Sequence, residues 1–352
     1  MRSQPVLFDE PSAAPPALLG EQSDIRYYAN TPRSMLNSPA ATGMGFWSIN
    51  PYVGCAFGCA YCYARFAHRY SAERIAASGH GEPDFSAEVD RMPPWLAFER
   101  RILVKREAGE VVRRELRRPA RAEALLRERI VIGTATDPYQ PAERRFGITR
   151  GVLEALADQR GLGVTIITKS PLVTRDLDLL TRIATRSELS VHVSLITADR
   201  DLARRLEPRA PTPEARLRAI ARLRERDIEV GVNCMPVLPG ITDAPHQVDA
   251  LVAAVARAGA SYLGACALRL RSTARQRYLP FIEAEFPALA HRYRASYARG
   301  HQVGERYRAG LRERFRTVCA RHGVLFDEHY RVDDDDVEPV PVVADAQLGL
   351  AI

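Results

Sequence analysis

Cys55-Ala56-Phe57-Gly58-Cys59-Ala60-Tyr61-Cys62 places three cysteines within one short loop, spaced Cys-x3-Cys-x2-Cys, with no fourth close behind. A closed structural metal site takes four protein ligands, so three thiolates leave a coordination position for a substrate or cofactor. Pro51 stops regular strand pairing just before the loop. Gly54 and Gly58 permit positive φ, which lets backbone wrap closely around a bulky inorganic group. The run from Tyr63 to Tyr70 has helical spacing, and its N-terminus would direct amides toward a negatively charged cluster. Two other readings of the cysteines stay open. A zinc site needs a fourth Cys or His, and the nearest His, His68, lies outside the two-to-five spacing of common zinc motifs. A ferredoxin-like carrier needs a fourth cysteine, which Cys234, Cys266 or Cys319 would supply by folding.

Outward from this loop, short apolar runs alternate with amphipathic stretches. The runs are Phe46–Asn50, Ile102–Lys105, Arg129–Thr134, Gly163–Thr168, Leu189–Ile196, Ile228–Cys234 and Ser261–Leu268. Most are rich in β-branched residues, as buried parallel strands are. Between them, Thr149–Gln159 and Pro213–Arg226 carry apolar residues at helical spacing. This alternation predicts an α/β fold, a partial or complete TIM-like barrel of six or seven βα units. A doubly wound sheet is the weaker alternative, because no Gly-x-Gly-x-x-Gly turn follows an early strand. The expected organisation is an irregular N-terminal extension over 1–43, the barrel over 44–270, a helical Arg/Tyr-rich segment over 271–331 and an acidic flexible tail over 332–352.

The 352 residues are 46% hydrophobic with a net charge of +7, and lysine occurs only at Lys105 and Lys169. A basic balance is compatible with phosphate-bearing partners, nucleic acid among them; it is also what an Arg-rich genome produces. No long apolar run indicates a membrane span, and the N-terminus lacks the basic start and apolar core of a secretion signal. A cytoplasmic location is expected, and a reducing compartment suits iron–sulfur chemistry. Six cysteines in so long a chain do not describe a disulfide scaffold.

The cysteine spacing, with an aromatic residue just before Cys62, resembles the cluster motif of the radical S-adenosylmethionine superfamily. Further segments resemble its spore photoproduct lyase-like branch: Asn50–Cys55, Gly133–Glu143, Ile167–Pro171, Val193–Leu195, Leu206–Pro211 and Glu229–Gly240. The resemblance implies that Cys55, Cys59 and Cys62 ligate a 4Fe–4S cluster and that Tyr61 lies against the adenine of S-adenosylmethionine. It also implies polar contacts to that cofactor from Thr136, Lys169 and Ser194. A lysine suits the cofactor's carboxylate, and Asp137 suits its amino group or sulfonium. Thr136 and Asp137 have a second reading as caps of the following helix, and Ser194 as a packing residue.

The implied chemistry is reductive cleavage of S-adenosylmethionine to a 5′-deoxyadenosyl radical that abstracts hydrogen from a substrate, with a flavodoxin or ferredoxin as electron donor. Spore photoproduct lyase carries a cysteine hydrogen donor where this chain has Thr134, which argues against thymine-dimer repair. Cys234 and Cys266, at later strand ends, are the candidate donors, against a plain reading as buried free thiols. The alternative function is a non-catalytic iron–sulfur protein that binds nucleic acid or senses redox state. The Arg/Tyr stretch Tyr278–Arg321 reads either as a grip on phosphates and bases or, preferably, as amphipathic helices with a solvated Arg face.

Overall fold

The computed structural model describes residues 18–65 and 83–327. The chain's first residues, the run following Arg65 with His68, and the acidic tail at 332–352 lie outside these. The strands in chain order are β1 (Leu18–Gln22), β2 (Ile25–Asn30), β3 (Trp47–Ile49), β4 (Tyr52–Val53), β5 (Arg101–Lys105) and β6 (Ile130–Ile132). They continue with β7 (Gly163–Thr168), β8 (Glu188–Ser194), β9 (Glu229–Val237), β10 (Tyr262–Ala267) and β11 (Leu325–Phe326). Seven of them form one sheet in the order β11-β10-β9-β8-β7-β6-β3, and every pairing in it is parallel. Among the described residues its end strands β3 and β11 do not pair with each other, so the barrel is partial.

Alternation along the strands separates the two faces. Val164 and Ile166 of β7, Val191 and Val193 of β8, and Val230, Val232 and Cys234 of β9 all join one aliphatic core with the surrounding helices. The helix Pro213–Arg224 contributes Ile220 and Leu223, Pro245–Arg257 contributes Val248, Leu251, Val252 and Val255, and Glu305–His322 contributes Leu311, Phe315 and Val318. Full burial of such a side chain is worth about 1.5–3 kcal/mol. The opposite face of the same strands is the barrel interior. It presents Thr165, Ser190, His192, Ser194, Gly231 and Asn233, so most of the polar side chains of these three strands lie on that side.

Two expectations are corrected here. The apolar run Ile102–Lys105 is not a barrel strand: as β5 it sits in a second, four-stranded sheet of order β1-β2-β5-β4. The seventh barrel strand is instead the short β11. Second, the N-terminal extension is not irregular from residue 18 onward. Residues 18–30 form the antiparallel hairpin β1–β2, and β2 pairs in parallel with β5. Ile25, Tyr27, Tyr52, Ile102 and Val104 bury one another on this sheet, which explains why the hairpin is ordered.

Low in the barrel, His192 and Tyr262 meet edge to face, with ring centroids 5.3 Å apart, and their polar tips hydrogen bond. Gly231 makes room for this pair, since a Cβ there would lie 2.1 Å from the Tyr262 ring. Burial pushes the His192 imidazole from 6.5 down to about 4; Asp327 and an Asn233 hydrogen bond oppose this, and Arg129 adds to it. The unfolded chain therefore binds a proton at His192 before the folded one does. Stability contributed by neutral His192 is present above pH 6.5 and is lost as pH falls toward 4, by up to about 3 kcal/mol. Urea unfolding across this range should show that slope in the parent protein and a shallower one in His192→Gln; equal slopes would remove His192 as the cause.

Candidate active site

The cysteine loop leaves β3 and β4 and is pinned from several sides before any thiol is considered. At the end of β3, Asn50 accepts from Ala135 N at 2.8 Å and donates to Thr134 Oγ1 at 3.0 Å. Gly54 has φ +87°, and a Cβ there would lie 2.8 Å from the carbonyl of Phe98, so glycine is required. Its carbonyl accepts from Thr136 Oγ1 at 2.6 Å and Gln140 Nε2 at 3.0 Å, while Gln140 Oε1 accepts from Ala56 N at 2.9 Å. Cys55 N donates to Phe98 O at 3.0 Å, and Ala60 N donates to Leu206 O at 2.9 Å. Arg65 donates to the Cys59 carbonyl, Arg209 donates to the Ala56 carbonyl, and both guanidinium groups pair with Glu99. These bonds engage backbone groups and leave the thiols uncommitted.

All three thiols are free, with Cys55 and Cys59 buried and Cys62 partly exposed. Burial pushes Cys55 up to about 12, with the Asp137 carboxylate adding to it. Burial also pushes Cys59 well up, against the pull of Lys169. Desolvated thiols of this kind become thiolates against a bound cation, and three soft donors on a glycine-bent loop suit an iron–sulfur cluster. Among the described residues no three His, Cys, Asp or Glu side chains converge on a single-ion position, as ligands of one tetrahedral zinc must. Thiolates of a cubane each take a different iron.

Beside Cys59 lies a buried set of charges. Lys169, just past β7, places Nζ 5.8 Å from the centroid of the Tyr61 ring and 4.0 Å from Glu207 Oε1. Glu207 accepts from the Tyr61 hydroxyl and pairs with Arg216, and both partners of that ion pair are 1% exposed. Arg216 continues to the carbonyl of Ser194 at 3.0 Å and that of Pro211 at 2.9 Å. Burial alone would lower Lys169, but negative charge at Cys59 and Glu207 raises it above its ordinary range. Burial likewise works against the Glu207 carboxylate, and Arg216 with Lys169 hold it below the usual carboxylate range.

The fold thus brings together Cys55, Cys59, Cys62, Tyr61 and Lys169, and ties Ser194 to them through the bond of its carbonyl to Arg216. Thr136 and Asp137 are close by but otherwise employed. The Thr136 hydroxyl bonds the loop carbonyl of Gly54, and Asp137 accepts from Thr168 Oγ1 at 2.7 Å, Lys169 N at 2.7 Å and Tyr139 N at 2.9 Å. Burial raises Asp137, and these donors restrain the shift. Its carboxylate sets the backbone of Lys169. Cys234 is corrected more firmly: it is fully buried among aliphatic side chains on the helix-facing side of β9, away from the barrel interior. Cys266 is partly exposed and alternates with Leu263 and Ala265, which face the helices.

The residues that sequence reasoning missed are Glu207, Arg216 and Gln140. Glu207 stood inside the Leu206–Pro211 segment and Gln140 inside Gly133–Glu143, but neither position carried a role. The grip on bases read into Tyr278–Arg321 is also overturned for its tyrosines. Tyr278, Tyr293 and Tyr297 are buried, and the last two donate to the carbonyls of Pro239 at 2.8 Å and Leu268 at 2.9 Å. The helices Ser272–Glu285, Pro287–Ser296 and Glu305–His322 expose most of their arginines, among them Arg292, Arg294, Arg306 and Arg312, whereas Arg277 packs over the rings of Trp95 and Phe281.

Residues 49–252 match the family model of the radical SAM superfamily. The chain belongs to the radical SAM superfamily. As a radical SAM enzyme it uses a 4Fe–4S cluster and S-adenosylmethionine, with a reductant to supply electrons. An uncharacterized protein of Mycobacterium tuberculosis is 35% identical over 314 residues, covering 89% of this chain and 85% of the relative. An uncharacterized protein of Methanocaldococcus jannaschii is 26% identical over 222 residues, covering 63% of this chain and 70% of the relative. Among solved structures, a spore photoproduct lyase variant with bound AdoMet and dinucleoside spore photoproduct superposes with a TM-score of 0.57 at 15% identity. The match covers 85% of this radical SAM chain and 81% of that one. At that identity the likeness concerns the fold, which agrees with the lyase-like branch read from the motifs. No helix among the described residues is long and apolar enough to cross a membrane.

Proposed function

We propose that this radical SAM protein holds its cluster on Cys55, Cys59 and Cys62 and S-adenosylmethionine between Tyr61, Lys169 and Ser194, in order to abstract hydrogen from an organic substrate at the barrel mouth. When bound and reduced, the cluster and cofactor together supply a 5′-deoxyadenosyl radical and methionine. Tyr61 offers a ring for the adenine. Lys169 offers a cation for the cofactor's carboxylate. The parallel barrel packs an aliphatic core against its helices and turns most of the polar side chains of β7, β8 and β9 to its inner face. An acidic electron carrier of the flavodoxin or ferredoxin type would reduce the cluster. Nucleic acid is the candidate substrate class, on the strength of the basic chain and the lyase-like fold.

The observation that carries this reading is the Lys169 ammonium poised over Tyr61 beside Cys59. A cluster that only stabilised the fold would have no use for a buried cation facing an aromatic ring. Thr134 supplies a hydroxyl bonded to Asn50 where the lyase branch has its thiol donor, which argues against thymine-dimer repair. Cys266 is the remaining candidate donor. Anaerobic reconstitution with dithionite and S-adenosylmethionine should yield 5′-deoxyadenosine, whereas cofactor binding with no cleavage would favour the non-catalytic reading. Lys169→Ala should weaken cofactor binding about tenfold or more while leaving cluster absorbance intact, as expected for loss of a charge-assisted contact. Equilibrium dialysis with labelled cofactor measures this, and unchanged affinity would take Lys169 out of the site.

A further inference from the structure

Glu207 links two groups proposed to meet the cofactor, Tyr61 and Lys169, to a buried arginine. Its carboxylate accepts from the Tyr61 hydroxyl on the cysteine loop, and it lies 4.0 Å from Lys169 Nζ beyond β7. Through Arg216 it reaches the carbonyl of Ser194 at the end of β8. At 4.0 Å the ammonium is outside direct hydrogen-bond range. Glu207 therefore orients Lys169 by charge without using up its donors. Two cations around one carboxylate also leave a net positive charge beside Cys59, which suits an arriving anionic group.

We propose that Glu207 is the positioning residue for S-adenosylmethionine, fixing the Tyr61 ring for the adenine and holding the Lys169 ammonium for the carboxylate. This rests on the reading that Tyr61 and Lys169 face the cofactor. Arg216 pairs with Oε2 alone, and Oε1 is the oxygen turned toward Tyr61 and Lys169. The bond to Tyr61 and the approach to Lys169 couple that ion pair to the two groups assigned to the ligand.

The test uses full-length protein reconstituted with its cluster, with S-adenosylmethionine affinity measured by equilibrium dialysis and normalised to cluster content. Glu207→Gln should bind about tenfold more weakly, the scale of one charge-assisted hydrogen bond. Tyr61→Phe deletes the donor of the bond that Glu207→Gln weakens by removing its charge. The double variant should then be no more than about twofold weaker than Glu207→Gln alone, because residues acting through one bond are not additive. Glu207→Asp keeps the charge opposite Arg216 and so protects folding, but draws the carboxylate back from Tyr61; a several-fold loss is expected. Parent-like affinity in Glu207→Asp and Glu207→Gln overturns the proposal, as does full multiplication of the two single effects. Parent protein that fails to bind the cofactor would instead overturn the proposed function, so the two failures are distinct.

Discussion

Cys59→Ala will yield protein that folds but holds no cluster: iron, sulfide and the brown absorbance should all fall to background after anaerobic reconstitution. Folding survives because the loop is fastened through its backbone. Ala60 N still reaches Leu206 O at 2.9 Å, Cys55 N still reaches Phe98 O at 3.0 Å, and the carbonyl that Arg65 holds is present in alanine too. Loss of one buried sulfur should cost the apoprotein about 1 kcal/mol. The cluster does not survive because no other thiol can move in. Cys234 and Cys319 are fully buried in the aliphatic core outside the barrel, and Cys266 stands on β10, remote in sequence from the loop. Iron and sulfide at parent levels in this variant would remove Cys59 from the ligand set and reopen the choice of metal.

The second large effect is on stability. Glu143→Ala should lower the free energy of unfolding by about 3–5 kcal/mol in urea titrations, the range for breaking a buried charged network. Glu143 is completely buried. Its carboxylate accepts from Tyr52 Oη at 2.6 Å, Thr149 N at 2.8 Å, Arg150 N at 3.2 Å and Arg175 Nη2 at 2.7 Å. Two of these donors are first-turn amides of the helix Ile148–Ala157, where a negative charge is favourable. Alanine would orphan them together with the Tyr52 hydroxyl, and Tyr52 belongs to β4, two residues before Gly54. Cluster retention should therefore fall along with stability, although Glu143 touches no thiol. Glu143→Gln, which keeps an acceptor, should lose less than half as much. A change under about 1 kcal/mol in Glu143→Ala would show that the network relaxes around the gap.

These two variants mark different depths of legibility. The role proposed for Cys59 could be read because metal-ligand spacing is local: Cys55, Cys59 and Cys62 must share one loop wherever the chain goes. The parallel strands were readable for a related reason. Buried strands such as Gly163–Thr168 and Glu188–Ser194 stand out as short runs rich in β-branched and apolar residues. The same rule misplaced Ile102–Lys105, since a short apolar run does not say which sheet receives it. It also passed over Ile25–Asn30, whose ordering depends on β5, a strand distant in sequence.

The amino-acid order alone determined the soft-donor loop, its glycine hinges, and the alternation of buried strands with amphipathic helices, because spacing and periodicity are properties of neighbouring residues. The folded chain added Glu207 and Arg216 to the Tyr61 and Lys169 that the motif resemblance had marked. The four come from separate segments, and Glu207 and Arg216 read in isolation as ordinary helix or helix-end residues. A buried charge is tolerable only with its counter-charge beside it. That requirement is met across three barrel segments at once, so it exists only in three dimensions. By the same logic Cys234 and Cys266 look alike in one dimension, and the pleat of the sheet sends the first into the aliphatic core.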